Sequence, residues 1–211
     1  MAGAVKTRLC PPLAPAQAAR FYEQCVHDIV DLMGRLPGVD LALAYSPRPA
    51  QEFFRAISPL SQFFPQEGAD LGDRLAAAFA WGFHRGYTKV LIRNSDSPDL
   101  PAALVLEAGE RLAAGDADAV LGPSPDGGYY LVGLRQPWPD LFAGVAWSTS
   151  RTLADTRARA ARLGLSVHLL PAWPDIDTWA DLKDFARRDL VSFAPGWRSH
   201  CLARELTAGP K

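Results

Sequence analysis

Four side chains in this sequence have the types and positions to act on a charged substrate. Asp96 belongs to the polar cluster Asn94-Ser95-Asp96-Ser97, which follows the apolar run Val90-Leu91-Ile92. Asp177 belongs to Pro174-Asp175-Ile176-Asp177-Thr178, which also lies between an apolar run and a helical pattern. In open α/β sheets ligands bind outside the carboxyl ends of the strands, so both carboxylates fall where a ligand would lie. Together they suit Mg²⁺ or Mn²⁺, which take oxygen ligands and keep several positions for water and substrate phosphate. Lys6 and Arg8 flank Thr7 in a short segment and offer a point charge and a planar donor fork to phosphate, although a solvated basic end would have the same composition. Neutralising a diphosphate would favour attack at the α-phosphorus or departure of a nucleoside diphosphate, both of them group transfers. Asp96 and Lys6 are therefore the expected catalytic residues, with Asp96 and Asp177 as metal ligands. Asp99, just before Pro101, reads as a residue that shapes a turn or caps a helix.

Two glycine-bearing loops could border such a substrate. Gln66 to Leu75 carries Gly68 and Gly72, with Asp70, Asp73 and Arg74 at a helix entrance. It matches neither the dinucleotide fingerprint nor the Walker spacing, and a plain loop with an Asp cap fits the same residues. Asp126-Gly127-Gly128 leads into the β-prone Tyr129 to Leu134. Consecutive glycines leave no side chain between backbone and ligand, yet an ordinary Asp-Gly turn has this spacing too. The aromatic segment Pro137 to Trp147 suits an acceptor pocket or a core.

These residues need a scaffold, and the periodicities supply one. Ala18, Ala19, Tyr22, Val26, Ile29, Val30 and Met33 predict a helix over Pro15 to Leu36. Further helices are predicted over Gln51 to Ala56, from the Gly72 loop to about Arg85, from Pro101 to Gly115, from Ser148 to Gly164 and over Trp179 to Arg188. Strands are predicted over Val39 to Tyr45, Gln62 to Phe64, Ala117 to Leu121, Tyr129 to Leu134 and Val167 to Leu170, and the run before Asp96 reads as a buried strand. Alternation of this kind implies an α/β sandwich with a mostly parallel sheet. The Gly127 to Leu134 strand follows its predecessor too closely for a helical crossover and must be antiparallel. One domain is expected over 1–188, with a peripheral tail over 189–211.

Composition removes several function classes. The chain has 211 residues, with 22 basic and 23 acidic side chains and a net charge of -1, so nothing draws it globally to nucleic acid or an anionic membrane. Three cysteines, Cys10, Cys25 and Cys201, form neither a zinc pattern nor a disulfide framework, which fits a reducing cytoplasm. No apolar stretch approaches the roughly 20 residues of a membrane span. Oligomeric state is not legible.

Five stretches in order carry a family resemblance: Val5-Lys6-Thr7-Arg8-Leu9, Gly68-Ala69-Asp70-Leu71-Gly72-Asp73-Arg74-Leu75, Asn94-Ser95-Asp96-Ser97-Pro98-Asp99-Leu100, Leu121 to Leu134, and Asp175-Ile176-Asp177-Thr178. From about Val5 to Arg188 the chain resembles a bacterial glycosyltransferase-like family with the nucleotide-diphospho-sugar transferase (GT-A) fold, related to phospholactate and molybdenum-cofactor guanylyltransferases. The resemblance implies a Rossmann-like sheet, a divalent metal, and a nucleotide sugar or nucleoside triphosphate with a small-molecule acceptor. Asp96 and Asp177 match its two acidic metal positions, and Lys6 and Arg8 match its phosphate-binding basic motif. Asp70, Gly72 and Arg74 match the loop bordering the nucleotide, and Asp126, Gly127 and Gly128 match the sugar or acceptor side.

The implied reaction is sugar transfer, with nucleotidyl transfer and non-catalytic nucleotide binding as alternatives. An aspartyl phosphatase would need a second carboxylate two residues after Asp96, whereas Asp99 is three residues on. Two departures stand out. Asn94 replaces a usual Gly, and only Met1-Ala2-Gly3-Ala4 precedes the basic motif, where relatives have an apolar first strand. Either neighbouring strands close that gap or the native chain is longer, and the backbone cost of an unpaired edge favours the second expectation.

Overall fold

The predicted alternation of strands and helices is realised in the computed structural model, which describes residues 2–59, 61–189 and 197–208. In chain order the elements are α1 (Pro15–Met33), β1 (Ala42–Tyr45), α2 (Gln51–Ile57), β2 (Gln62–Pro65), α3 (Leu71–Phe83), β3 (Val90–Arg93), α4 (Ala102–Ala114), β4 (Ala119–Pro123), β5 (Tyr129–Leu134), α5 (Thr152–Arg162), β6 (Val167–Leu169), α6 (Trp179–Arg187) and α7 (Arg198–Thr207). They divide between two units. One comprises Met1–Asp40, Ser95–Leu100 and Asp175–Lys211, and the other Leu41–Asn94 and Pro101–Pro174. None of the described helices is long and apolar enough to cross a membrane.

All six strands among the described residues lie in the second unit. β1 and β2 pair in parallel, with Ala42 opposite Gln62, and form a sheet of their own. The other four strands run in the order β3-β5-β4-β6. β5 is antiparallel to β3 and to β4, while β4 and β6 are parallel, so three strands share one direction and β5 alone is reversed. That is the antiparallel element predicted from the short Pro123-to-Tyr129 link.

The core of this unit brings together Phe79 of α3, Ala119 and Leu121 of β4, Val132 and Leu134 of β5, and Leu141 and Phe142 beyond it. Phe142 stacks on Phe79 with ring centroids 5.6 Å apart, and Trp138 and Trp147 pack against the same cluster. The aromatic segment is thus core, which accounts for its spacing without a pocket.

Two expectations change here. β3 is half-buried along its whole length instead of buried, because among the described residues it ends its sheet with β5 as its only strand neighbour. β1 likewise ends the two-stranded sheet, and among the described residues no ladder joins β1 to β3, so the alternative in which neighbouring strands close up is not realised.

The first unit is helical. The apolar face of α1, with Ala18, Phe21 and Cys25, packs with Leu9, Leu13, Ile176, Leu182 and Phe185 of α6, and Leu202 and Ala203 of α7. Helix α7 corrects the reading of 189–211 as a patternless tail over Arg198–Thr207; Pro195, Gly196 and Gly209 lie outside the described residues. Its N-terminal N–H groups are satisfied by a residue of α1: Asp28 accepts from Arg198 N at 3.1 Å, Ser199 N at 2.8 Å and Ser199 Oγ at 2.6 Å. A cap supplied from so far away leaves no local signature, and only Cys201, Leu202, Ala203 and Leu206 give the helix an apolar face.

Candidate functional site

Lys6 opens a 3-10 turn, Thr7–Leu9, whose Leu9 is fully buried in the helical core. The backbone at Lys6 is left-handed, with φ 51° and ψ 37°, a conformation that L-residues other than Gly, Asn and Asp adopt rarely and that often marks a functional constraint. The side chain is 5% exposed and its ammonium is enclosed by oxygens. Nζ donates to Asp96 Oδ1 at 2.6 Å, to Asp177 Oδ1 at 3.0 Å and to the Ile176 carbonyl at 2.5 Å. Arg8, largely exposed, reaches Asp177 Oδ2 at 3.4 Å.

Neighbouring contacts fix the two carboxylates. Ile176 N donates to the Asp96 carbonyl at 2.9 Å, so the segments bearing Asp96 and Asp177 are joined through backbone as well as through Lys6. Ser97 Oγ donates to Asp175 Oδ1 at 2.7 Å, and the Tyr22 hydroxyl bonds to Ser95 Oγ at 2.9 Å. Asp177 immediately precedes a capping box at the start of α6: Thr178 N donates to Asp181 Oδ2 at 2.7 Å, and Asp181 N returns a bond to Thr178 Oγ1 at 3.3 Å. With Thr178 as the cap, the Asp177 carboxylate is left to Lys6 and Arg8.

The charges follow from these contacts. Burial favours a neutral Lys6, but Asp96 and Asp177 outweigh it and raise the pKa above 10.5, so the ammonium persists through the physiological range. Burial raises the Tyr22 pKa above 10.0 against the Ser95 bond, keeping the phenol protonated. Asp99 lies in the turn closed by Leu100 N donating to the Ser97 carbonyl at 3.2 Å, as the turn reading expects. Helix α4 has Pro101 as its N-cap and no side-chain cap bond, and the Asp99 carboxylate, 1% exposed, pairs with Arg188. A carboxylate committed to that pair leaves the phosphatase arrangement without its second acid.

The resemblance implies a divalent cation, and the donor set suits one. Two carboxylate oxygens and a carbonyl oxygen surround a single point, which Lys6 Nζ holds. Hard oxygen ligands fit Mg²⁺ or Mn²⁺, and Asp96 and Asp177, 37% and 33% exposed, leave room for further oxygens from solvent or substrate. Among the described residues no three acidic, His or Cys side chains gather at one point, so the protein's share would be this pair.

The structure therefore brings Lys6, Arg8, Asp96 and Asp177 together. The other candidates, Asp70, Gly72, Arg74, Asp126, Gly127 and Gly128, lie in the second unit, where each has a local role. Asp70 Oδ1 caps α3 by accepting from Asp73 N at 2.9 Å, and Arg74 Nε reaches the Gly68 carbonyl at 3.4 Å. A Cβ on Gly72 would stand 2.7 Å from Trp147 Nε1. Asp126 Oδ1 accepts from Gly128 N at 2.9 Å, closing an Asx turn. Gly127, at φ +91°, backs onto Ser150 so closely that a Cβ would lie 2.1 Å from its carbonyl oxygen. Tyr22, Ser95 and the Ile176 carbonyl were missed as parts of the Lys6 cluster. Tyr22 reads as one more apolar position on α1, and its partner is 73 residues away.

This alternation of helices and strands is the fold of nucleotide-diphospho-sugar transferases. A crystal structure of a "putative nucleotide-diphospho-sugar transferase" from Desulfovibrio desulfuricans G20 is 35% identical, with a TM-score of 0.91 over 99% of this chain and 91% of that one. The chain belongs to the family described as an uncharacterized protein conserved in bacteria (DUF2064), which it matches over residues 29–149. More distant structures share the fold. Molybdopterin-guanine dinucleotide biosynthesis protein A from Archaeoglobus fulgidus is 12% identical, with a TM-score of 0.50 over 87% of this chain and 85% of that one. CMP:2-keto-3-deoxy-manno-octonic acid synthetase, in complex with CTP, is 10% identical, with a TM-score of 0.56 over 76% and 85%. No curated protein sequence matches the chain.

Proposed function

We propose that this chain is a metal-dependent transferase that takes a nucleotide sugar as donor and a small molecule as acceptor. The observation that carries the reading is the convergence of Asp96 Oδ1, Asp177 Oδ1 and the Ile176 carbonyl on one cation position, with Arg8 beside it. The name of the 35% identical relative supports a nucleotide-sugar substrate.

Asp96 and Asp177 would hold Mg²⁺ or Mn²⁺, which when bound neutralises diphosphate charge and makes the nucleoside diphosphate a better leaving group. The chain's own residues do the rest. Lys6 contributes a charge whose pKa keeps it protonated, and Arg8 contributes exposed guanidinium donors suited to phosphate oxygens. Tyr22 and Ser95 hold the segment that carries Asp96, and the capping box at Thr178 holds the segment that carries Asp177. Asp70, Gly72, Arg74, Asp126, Gly127 and Gly128 are proposed substrate contacts on the family pattern.

A thermal-shift panel of nucleotide sugars and nucleoside triphosphates, with and without Mg²⁺ or Mn²⁺, tests this reading. At a concentration about a hundred times Kd, a true donor should raise Tm by roughly 5–10 °C, only with metal, and Asp96→Ala should abolish the shift. A shift that needs no metal, or that survives Asp96→Ala, would overturn the site. Stabilisation by a triphosphate and by no nucleotide sugar would replace sugar transfer with nucleotidyl transfer.

A further inference from the structure

We propose that Lys6 is a built-in cation that competes with the divalent metal for the seat between Asp96 and Asp177, and that metal loading ejects its ammonium into the substrate's phosphate site. This rests on the metal-dependent reading above and adds to it an exchange between two states of one side chain.

The seat is already filled by charge. Lys6 Nζ lies within 3.0 Å of Asp96 Oδ1, Asp177 Oδ1 and the Ile176 carbonyl, the three oxygens offered to a metal. Two cations cannot share that point, so metal and ammonium exclude each other. The root of the arm is fixed: the left-handed Lys6 backbone leads into a turn anchored by the fully buried Leu9. Exchange therefore falls to the side-chain torsions, leaving the turn in place.

Charge balance then ties metal to phosphate. Lys6 and Arg8 together cancel Asp96 and Asp177, so the cluster is neutral as it stands. A dication entering alone leaves a local excess of two positive charges and strips Lys6 of its partners. A diphosphate arriving with the metal supplies the missing negative charge and gives the displaced ammonium a new partner. Metal alone should bind weakly and nucleotide alone should bind weakly, each strengthening the other by the same factor. The lysine thereby protects the two carboxylates from mutual repulsion until the substrate is present, and its burial, at 5% exposure, is what the exchange relieves.

The probe is Mn²⁺ alone, titrated by calorimetry into wild type, Lys6→Met and Asp96→Ala. Removing the competitor should tighten Mn²⁺ at least tenfold in Lys6→Met, while Asp96→Ala should lose binding. A second measurement needs no variant: amine acetylation of wild type followed by peptide mass analysis. Lys6 should be protected without metal and at least fivefold more reactive at saturating Mn²⁺, with the exposed Lys89 as internal reference. If Mn²⁺ binds through Asp96 but Lys6→Met does not tighten it, or Lys6 reactivity does not respond to Mn²⁺, the exchange is overturned and the metal reading stands. If Mn²⁺ binds none of the three proteins, Lys6 is not what keeps the metal out and the exchange is overturned, while the metal reading is decided by the nucleotide panel with and without metal.

Discussion

The two units of this chain are held together by different physics. The unit of Leu41–Asn94 and Pro101–Pro174 has strand ladders and a large apolar core, and its ion pairs lie mostly outside. Arg48 and Glu67 are 74% and 62% exposed, and Arg151, paired with Asp155, is 76% exposed. The unit of Met1–Asp40, Ser95–Leu100 and Asp175–Lys211 has no strand among its described residues, and charge links its three segments. Lys6 with Asp96, Arg188 with Asp99 and Arg198 with Asp28 each include one side chain no more than 5% exposed. Exposed pairs contribute little, whereas removing one member of a buried pair strands a charge away from water. Loss of a charge should therefore be tolerated in the sheet unit and costly in the helical one.

The largest expected effect tests that contrast directly. Arg188→Leu takes the cation from the buried Asp99 carboxylate and should lower the unfolding free energy by about 3–5 kcal/mol in urea titration. The matched surface change, Arg151→Ala, should cost less than about 0.5 kcal/mol, and equal losses would erase the distinction.

A smaller effect asks whether packing governs the sheet unit. Gly72→Ala forces a methyl against Trp147 Nε1 and the Phe142 carbonyl and should cost about 1–3 kcal/mol, read as a lower Tm; an unchanged Tm would mean that Trp147 yields freely.

The smallest effect concerns Asp118 in the sheet unit, a carboxylate with a depressed pKa. Bonds from Ser166, with help from Arg135, hold Asp118 below 3.8, so its contribution is complete above that pH and is lost as the pH falls through the folded value. Asp118→Asn should flatten the acid limb of stability against pH by less than about 1 kcal/mol. An acid limb identical to wild type would remove Asp118 from the account.

The same contrast decides what the sequence reveals. Strand runs and helix periods are local, so the presence of β4, the reversal of β5 and the cap at Asp70 are legible from neighbouring residues. Half-burial of β3 is not, because a strand's exposure depends on what lies beside it. In the helical unit the residue types at Lys6, Arg8, Asp96 and Asp177 point to charge chemistry, yet their pairing does not. Lys6 reads as a phosphate arm, and its seat among three oxygens depends on a chain reversal of 171 residues that no motif encodes. The turn at Asp99 is legible, but its ion pair is not, because Arg188 is 89 positions away. Helix α7 reads as tail because the acceptor for its first N–H groups sits in α1.

That cap has a consequence for the timing of folding. Asp28 and Ser199 are 171 residues apart, so the ribosome must deliver all of that stretch before α1 meets α7. Until then the apolar face of α1, with Phe21 and Cys25, lacks the part of its native cover that Leu202 and Ala203 supply, while the strands of the sheet unit can already pair within a shorter stretch. Closing so long a loop is slow, and transiently exposed apolar surface is what chaperones engage. The sheet unit should acquire protease resistance during synthesis well before the helical unit, and the oxygen seat around Lys6 should be among the last features of the molecule to form.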